Sequence, residues 1–419
     1  VGSEMCIRDS LDNGVALSGL VAKKTWNGYV DGTWSDAYSY YFSAHKTFGN
    51  GKHTLDANVL GAPQQHGQRD EDQIYTVVDW QSFSSSDYSS SDDFRRASPH
   101  IYGSGWGYLT EEQYEDLNDN SVGHRGSTDW AHDILFGGIM HTKQVGDKYL
   151  INTRTNYYHK PVWSLNWKWN VDGQSSLSTT FYGSKGRGGG TGPLNTRDTY
   201  MGDGDTVDTY YKYFNPAELS DGSGQIDWTQ VIDNNRQWSV NSEFDTTYSS
   251  TMHRSKRIIR ASVNHHDWTG VLSTYSRRFS DNLNFTTGFD LRSYAGEHYR
   301  EVVNLLGGDY YVDYADDNAP DGKVVGLGDE VAYHNSKTVD WIGGFLQGNY
   351  TKDKLNLYGM GGISSIKYTY QDHFTVANEV VEADAISTFQ IKGGAMYDVD
   401  DNVSAVSYTH LTLPTNREV

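Results

Sequence analysis

Cysteine is nearly absent from this sequence: of 419 residues, only Cys6 carries a thiol. It lies in the string Met5–Asp9 (Met-Cys-Ile-Arg-Asp), and near the opposite end Val406–His410 reads Val-Ser-Tyr-Thr-His. Under one choice of codons the two strings are reverse complements, and they resemble the translated arms of a transposon-based sequencing adapter. Residues 1–10 and 406–419 are therefore expected to be adapter-derived, to make no native-like contacts, and to bracket residues 11–405 as an internal stretch of a longer protein. Without Cys6 that stretch has no disulfide framework, thiol nucleophile or Cys-based metal site. Positive charge is also scarce, with 34 Lys and Arg against 54 Asp and Glu. So acidic a chain is a poor partner for nucleic acid, whose phosphates demand a basic face. Nor is there any run near the roughly 20 apolar residues of a membrane-spanning helix, and mean hydropathy is −0.67.

What the chain does have is aromatic surface. It carries 31 Tyr, 12 Trp and 14 Phe although only 36% of it is hydrophobic, which argues against disorder. A barrel that shows lipid only at every second residue has this composition. Period-two alternation supports that class. Trp163, Leu165, Trp167, Trp169 and Val171 share one face, with Ser164, Asn166, Lys168 and Asn170 on the other. Leu283, Phe285, Phe289 and Leu291 oppose Asn284, Thr286, Asp290 and Arg292, and Leu55, Ala57 and Val59 oppose Thr54, Asp56 and Asn58. A helix would scatter each set around its circumference, so these are strands.

Short turn strings join them: Gly49–Lys52, Asp172–Gln174, Ser280–Asn282, Lys352–Lys354 and Asp400–Asn402. Gly, Asn and Asp tolerate the positive φ of tight hairpins. Between these hairpins lie long polar stretches at 65–131, 187–254, 296–337 and 371–384, too many and too long for a compact soluble β domain. The expected fold class is all-β, an antiparallel meander of about ten to thirteen strands forming part of a large transmembrane barrel, with short turns on one side and long loops on the other. Truncation at both ends predicts a sheet with two free edges. Tyr38, Phe48, Trp163, Trp169, Tyr294, Trp341, Tyr368 and Tyr370 are expected in interfacial girdles, although aromatics also simply favour strands. Trp130–Lys160 is open between an extra barrel hairpin through Gly146-Asp147 and a hairpin within a loop.

At Gly61-Ala62-Pro63-Gln64, followed by His66, Gln68 and Arg69, the chain resembles TonB-dependent outer-membrane receptors. Further strings extend the resemblance in order: Asn156–Pro161, Gly186–Gly192, Asp221–Trp228, Asn264–Trp268, Glu297–Tyr299 and Leu306–Tyr311. The resemblance implies a barrel of about 22 strands around a globular plug. The plug, its coupling box and both barrel ends are expected to lie outside this chain. It also implies no catalytic role, an outer-membrane location, a small nutrient ligand, energy from an inner-membrane complex acting through the plug, and a possible surface lipoprotein partner.

No cofactor is expected. Gly186–Gly192 lacks the Gly-Lys-Ser/Thr ending of a phosphate loop and reads as a flexible exit from a strand. The acidic strings Met201–Tyr210 and Tyr310–Asp321 lack the spacing of a helix–loop–helix calcium site and read as solvated loop carboxylates. His265 and His266 point to opposite faces of a strand and do not share a metal. No Gly-x-Ser-x-Gly elbow or His-Glu-x-x-His pair is present. Loop aromatics, Trp80 and Tyr88 among them, can stack on sugars, chelates and peptides or can glue loops together. The substrate-contact candidates are Trp106, Tyr108, Arg187, Trp228, Tyr310 and Tyr311. Lumen-facing Lys168, Asp290 and Arg292 suit contacts to a plug, or else a solute path.

The sequence therefore reads as an active outer-membrane transporter for an iron chelate, cobalamin, an oligosaccharide or a peptide. One alternative is a passive porin-type channel on the same architecture. The other is a secreted aromatic-rich β-sandwich or solenoid that binds or cleaves glycans, with both strand faces buried and no lipid-facing belt.

Overall fold

A computed structural model describes residues 2–11, 13–28, 32–68, 75–77, 94–96, 106–119, 130–137, 141–195, 227–237, 248–376, 378–400 and 402–414. The strands are β1 Gly2–Leu11, β2 Val15–Trp26, β3 Ser35–Phe48, β4 His53–Gly61, β5 Gln64–Gly67, β6 Tyr75–Val77, β7 Phe94–Arg96 and β8 Trp106–Leu109. They continue with β9 Thr142–Val145, β10 Lys148–Asn152, β11 Thr155–His159, β12 Val162–Asn170, β13 Ser175–Asn195, β14 Arg257–Ser280 and β15 Leu283–Asn304. The last are β16 Tyr311–Asp313, β17 Lys323–Val325, β18 Glu330–Lys352, β19 Leu355–Asp372, β20 Val380–Glu382, β21 Ile386–Asp398 and β22 Ser404–Pro414. Among the described residues three helices, α1 Glu111–Asp119, α2 Trp130–Phe136 and α3 Trp228–Gln237, belong to the loops. Among the described residues no helix is long and apolar enough to cross a membrane.

The main sheet is an antiparallel meander in the order β1-β2-β3-β4-β12-β13-β14-β15-β18-β19-β21-β22, in which β1 and β22 do not pair with each other. All five turn strings connect neighbouring strands at one end. At Gly49, Asn50 and Gly51 φ is 62°, 56° and 81°, and at Asp353 it is 49°, the left-handed region that Gly, Asn and Asp enter at least cost. The Trp130–Lys160 alternative resolves in favour of a loop hairpin. β9 and β10 turn at Gly146-Asp147 and pair with each other, and β10 pairs with β8, in a separate three-stranded sheet.

Register fixes the two faces. Leu55, Trp167, Thr179, Ser273, Phe289, Gly344, Ile363 and Phe389 are paired directly in series and so share one face. One residue along, His45, Asp56, Asn166, Thr180, Leu272, Asp290, Gly343, Ser364 and Thr388 share the other. The first face carries exposed Phe42, Trp163, Phe181, Phe289, Ile342, Ile363 and Ile391, with Ile363 at 68%. Exposed apolar side chains lined up across neighbouring strands in this way mark an interaction surface. The hydroxyls of Thr179 and Ser273 on this face bond each other at 2.8 Å, so each has a partner within the protein.

Several expectations give way. Residues 2–11 pair with β2 throughout, from Gly2↔Lys24 to Leu11↔Val15, and β22 pairs with β21 from Ser404↔Asp398 to Pro414↔Thr388. Both ends thus continue the sheet rather than standing apart. Ladder hydrogen bonds are made by the backbone, so an open edge accepts any extended segment, and Val406, Tyr408 and Thr409 are strand formers. The stretches 187–254 and 296–337 are also shorter as loops than their polarity suggested, because β13 runs on to Asn195, β15 to Asn304, and β18 starts at Glu330. Gly186–Gly192 is accordingly regular strand, not a flexible exit.

Those continuations explain where the core sits. β14 has 24 residues, which at about 3.3 Å each reach roughly 80 Å, well beyond an apolar band of about 25 Å. Above the band both faces are covered. On one side Leu109 and Leu117, Ile151, and Trp228, Val231 and Ile232 of α3 pack on Ile259, Ala261, Val263, Tyr299 and Val303. On the other, Tyr311 and Val325 of the β16–β17 hairpin pack on Ile258, Val302 and Val331. Asn235, 1% exposed, ties α3 to this sheet. Its Nδ2 donates to the carbonyls of Arg257 at 2.7 Å, Leu305 at 3.2 Å and Leu306 at 3.0 Å, and its Oδ1 accepts from Lys256 N and Arg257 N at 2.9 and 3.2 Å. Asn235→Ala strands these buried groups at about 1–3 kcal/mol each. The variant should expose α3 to protease while the trypsin resistance of the meander below is retained, which limited proteolysis with mass mapping will read.

Candidate functional site

The strings that carried the family resemblance converge. Gln64–Gly67 pair with Thr155–Tyr158, and Asn156–His159 pair with Arg187–Gly190. Gly186 pairs with His266, and Asn264 and His265 pair with His298 and Glu297. Strings far apart in sequence thus form one band across β5, β11, β13, β14 and β15, where the sheet leaves its apolar belt. Gly61 begins the band. A Cβ there would lie 2.8 Å from His159 Nε2, the atom that Tyr40 Oη meets at 2.8 Å. Only glycine permits that approach. Arg187 joins β13 to β14 through a forked ion pair with Asp267, Nη1 to Oδ1 at 2.9 Å and Nη2 to Oδ2 at 3.3 Å.

His265 and His266 lie on opposite faces, as strand geometry requires. His265 is buried edge-on to Tyr299 at 5.8 Å between ring centres, whereas His266 lies 3.2 Å from Ser184 Oγ and stacks on Tyr294 at 6.2 Å. Among the described residues no group of three or more His, Cys, Asp or Glu is placed to hold a metal. In the second acidic string, burial pushes the Asp313 carboxyl up. Burial opposes the charge on Asp316 too, but Asn318 and Lys323 outweigh it and hold that carboxyl low. Asp316 pairs with Lys323 at 3.2 Å. Met201–Tyr210, Arg69, Trp80, Tyr88 and residues 221–226 lie outside the described residues.

The substrate-contact candidates fall in different places. Trp228 and Tyr311 are buried in the two loop cores, Trp106 and Tyr310 are buried as well, and Arg187 is engaged with Asp267. Tyr108 alone stands well exposed, with Trp106 edge-on at 5.3 Å and the Lys148 ammonium 4.9 Å from its ring centre.

The polar face holds aromatics that a girdle assignment misplaced. Tyr294, Trp341, Tyr368 and Tyr370 lie in register with Trp268, Arg292, Val339 and Lys337, on the side of Asp290 rather than of Phe289. Counting parity from Phe289 along the strand would have revealed this for Tyr294. Tyr182 meets Trp268 at 5.3 Å, Arg292 lies 5.9 Å from the Trp341 ring centre, and Arg292 Nε donates to Asp290 Oδ1 at 3.0 Å. Next to them a largely apolar cavity of about 440 Å³ is lined by Leu272, Phe345 and Met360 as well as by Asp290, Trp341 and Gln390. In the same rows of the ladder, Tyr41 donates to Asn58 at 3.1 Å and Thr180 to Asn166 at 2.8 Å. Such a wall offers stacking faces and paired donors and acceptors to a polar solute.

Fold comparisons with solved structures give likenesses at low identity. The unliganded ferric citrate transporter FecA is 7% identical, with 96% of this chain and 39% of that chain covered, at a TM-score of 0.48. The ferripyoverdine receptor of the outer membrane of Pseudomonas aeruginosa is 11% identical over 96% of this chain and 39% of that one, at 0.47. The siderophore receptor PiuA of Acinetobacter baumannii is 7% identical over 96% and 45%, at 0.46. The chain thus spans less than half the length of these proteins. No protein-family model and no curated protein matches the sequence.

One titration is built into the roof above the band. His141 is 1% exposed, and burial lowers its pKa to about 4. Asn304 Nδ2 donates to His141 Nε2 at 3.3 Å and to the Leu117 carbonyl at 2.8 Å, bridging α1 and β15. Released, the imidazole takes up a proton near its ordinary 6.5, whereas folded it does so only near 4. Stability is therefore complete above pH about 6.5 and falls as pH drops towards about 4, by roughly 3 kcal/mol across the window. Amide exchange at Ile151 and Asn304 should accelerate through that window in the unsubstituted chain and stay nearly level in His141→Gln.

Proposed function

We propose that this chain is a wall of an outer-membrane β-barrel that takes up a scarce small nutrient, driven by an inner-membrane energy complex acting through a plug. The observation that carries the reading is the register-locked division of the meander into an exposed apolar face and a polar one. An array of near-parallel rings at the turn end supports it: Phe48 and His53 at 5.0 Å, His53 and Trp169 at 5.7 Å, Trp167 and Trp169 at 6.0 Å. Aromatic girdles lie at such heights in membrane barrels. A secreted sandwich would bury both faces and leaves the belt unexplained. Iron chelates, cobalamin, oligosaccharides and peptides are the candidate cargo classes, with Tyr108 as an exposed loop contact and a surface lipoprotein as a possible partner. The passive-channel alternative shares the belt and differs in needing no plug or energy.

Adjacent residues on one strand share depth and differ in face, which gives the test. In the full-length protein Phe289→Arg places a charge against lipid at a cost of about 2–4 kcal/mol, whereas Asp290→Arg faces the interior. Heat-modifiable gel mobility of outer-membrane fractions should show folded barrel for Asp290→Arg and little for Phe289→Arg. Equal damage, or the reverse order, would rule out the lipid assignment.

A further inference from the structure

At the loop end of the polar face this acidic chain gathers cations. Arg260 on β14 sits across from Gly192 on β13, and a Cβ at Gly192 would stand 2.9 Å from Arg260 Nη2 and 3.1 Å from Cζ. The guanidinium thus lies over the glycine, on ground that the Gly186–Gly192 run keeps clear of side chains. Arg300 on β15 and Arg154, just before β11, stand close enough that both their charges bear on Arg260. Among the described residues the partners of Arg260 and Arg300 are neutral. Arg260 Nη1 donates to the Gly190 carbonyl at 3.3 Å, Arg300 Nε donates to Ser262 Oγ at 3.3 Å, and the Arg300 guanidinium lies 5.1 Å from the Tyr333 ring centre. Arg260 Nε is buried with no partner among the described residues. Burial first, and then the Arg300 and Arg154 charges, lower its pKa to about 10. Lys337 lies near the cluster, beside His298, two residues from Arg300 on β15.

Half-buried like charges repel one another and lose hydration, and such an arrangement is costly unless an anion completes it. The chain has 54 acidic residues, yet among the described residues the partners of Arg260 and Arg300 are carbonyl, hydroxyl and ring. Guanidinium forks fit the oxygens of carboxylates and phosphates in pairs, which an ammonium does not. We infer that Arg260 and Arg300, with Arg154 beside them over the glycine floor of β13, form a binding site for a multiply charged oxyanion, a ligand presenting clustered carboxylates or phosphates. The inference deepens the uptake reading and rests on it for the role of the site, although binding itself is measurable without transport.

The test is calorimetric titration of the full chain in detergent micelles at low ionic strength, with tricarballylate as the carboxylate probe and inorganic pyrophosphate as the phosphate probe. The unsubstituted protein should bind at least one, and which of them binds identifies the ligand class. Arg260→Gln with Arg300→Gln should weaken binding at least tenfold, the loss of about one charge-assisted bond or more. Arg260→Lys, which keeps the charge and loses the fork, should fall between, and Lys52→Gln at the turn end should bind as the parent does. Heat-modifiable mobility checks that each variant is folded. If the double variant is not, Arg300→Gln alone decides by the same loss. Binding of neither probe by the parent, or equal affinity in a folded variant, overturns the site. A protein that binds yet fails to assemble in the outer membrane sinks the uptake reading instead.

Discussion

The structure depends on one constraint: between the two edge strands, the backbone N–H and C=O groups of the meander are satisfied by the neighbouring strands, whatever side chains those strands carry. Once the ladder meets that demand, side chains alternate freely between two environments, and a single residue of slip would exchange them. The series from Leu55 through Trp167 and Phe289 to Phe389 therefore acts as a unit. So does the row from Asp56 through Asn166 to Asp290. Tight turns hold that register at one end, with φ of 49° at Asp353 in the β18–β19 turn and 62° at Gly49 in the β3–β4 turn. The same indifference of the ladder to side chains lets β1 and β22 join the sheet although their sequences looked foreign to it.

Much of this was legible in the sequence because the alternation is strict where one face is apolar. Trp163–Trp169 and Phe285–Leu291 announced their strands, and all five turn strings were readable from Gly, Asn and Asp. Legibility failed where strands leave the belt. There both faces are covered by protein, so Ile258 and Ile259 are adjacent and both buried, and the two-residue rhythm disappears. The aromatics Tyr294, Trp341, Tyr368 and Tyr370 were assigned by height along the strand when parity was the deciding variable.

The candidate site was legible only as scattered strings. Their adjacency is a tertiary fact: Gln64–Gly67 and Thr155–His159 are neighbours because the chain between them folds back through α1, α2 and the β8–β10 sheet. The burial of Trp228 and Tyr311 in loop cores was equally invisible, since an aromatic in a polar loop has the same sequence signature whether it faces solute or packs beneath it. Asn235 gave no signal at all, yet it holds a helix to the sheet by five hydrogen bonds.

The length of β14 and β15 also has a mechanical side. Their shared ladder is continuous from the turn at Asp281-Asn282 to the roof, with irregularities only near its two ends, between Arg278 and Ser280 and between Ile259 and Arg260. A hydrogen-bonded ribbon of that kind resists bending in its own plane, so it behaves as a stiff beam anchored in the belt. A roof bolted to the beam at Asn235 and Asn304 cannot flap at its root. Displacement of the roof must come from its own small joints, or from the whole beam tilting as one, which would carry a movement at the turns to the loops undiminished.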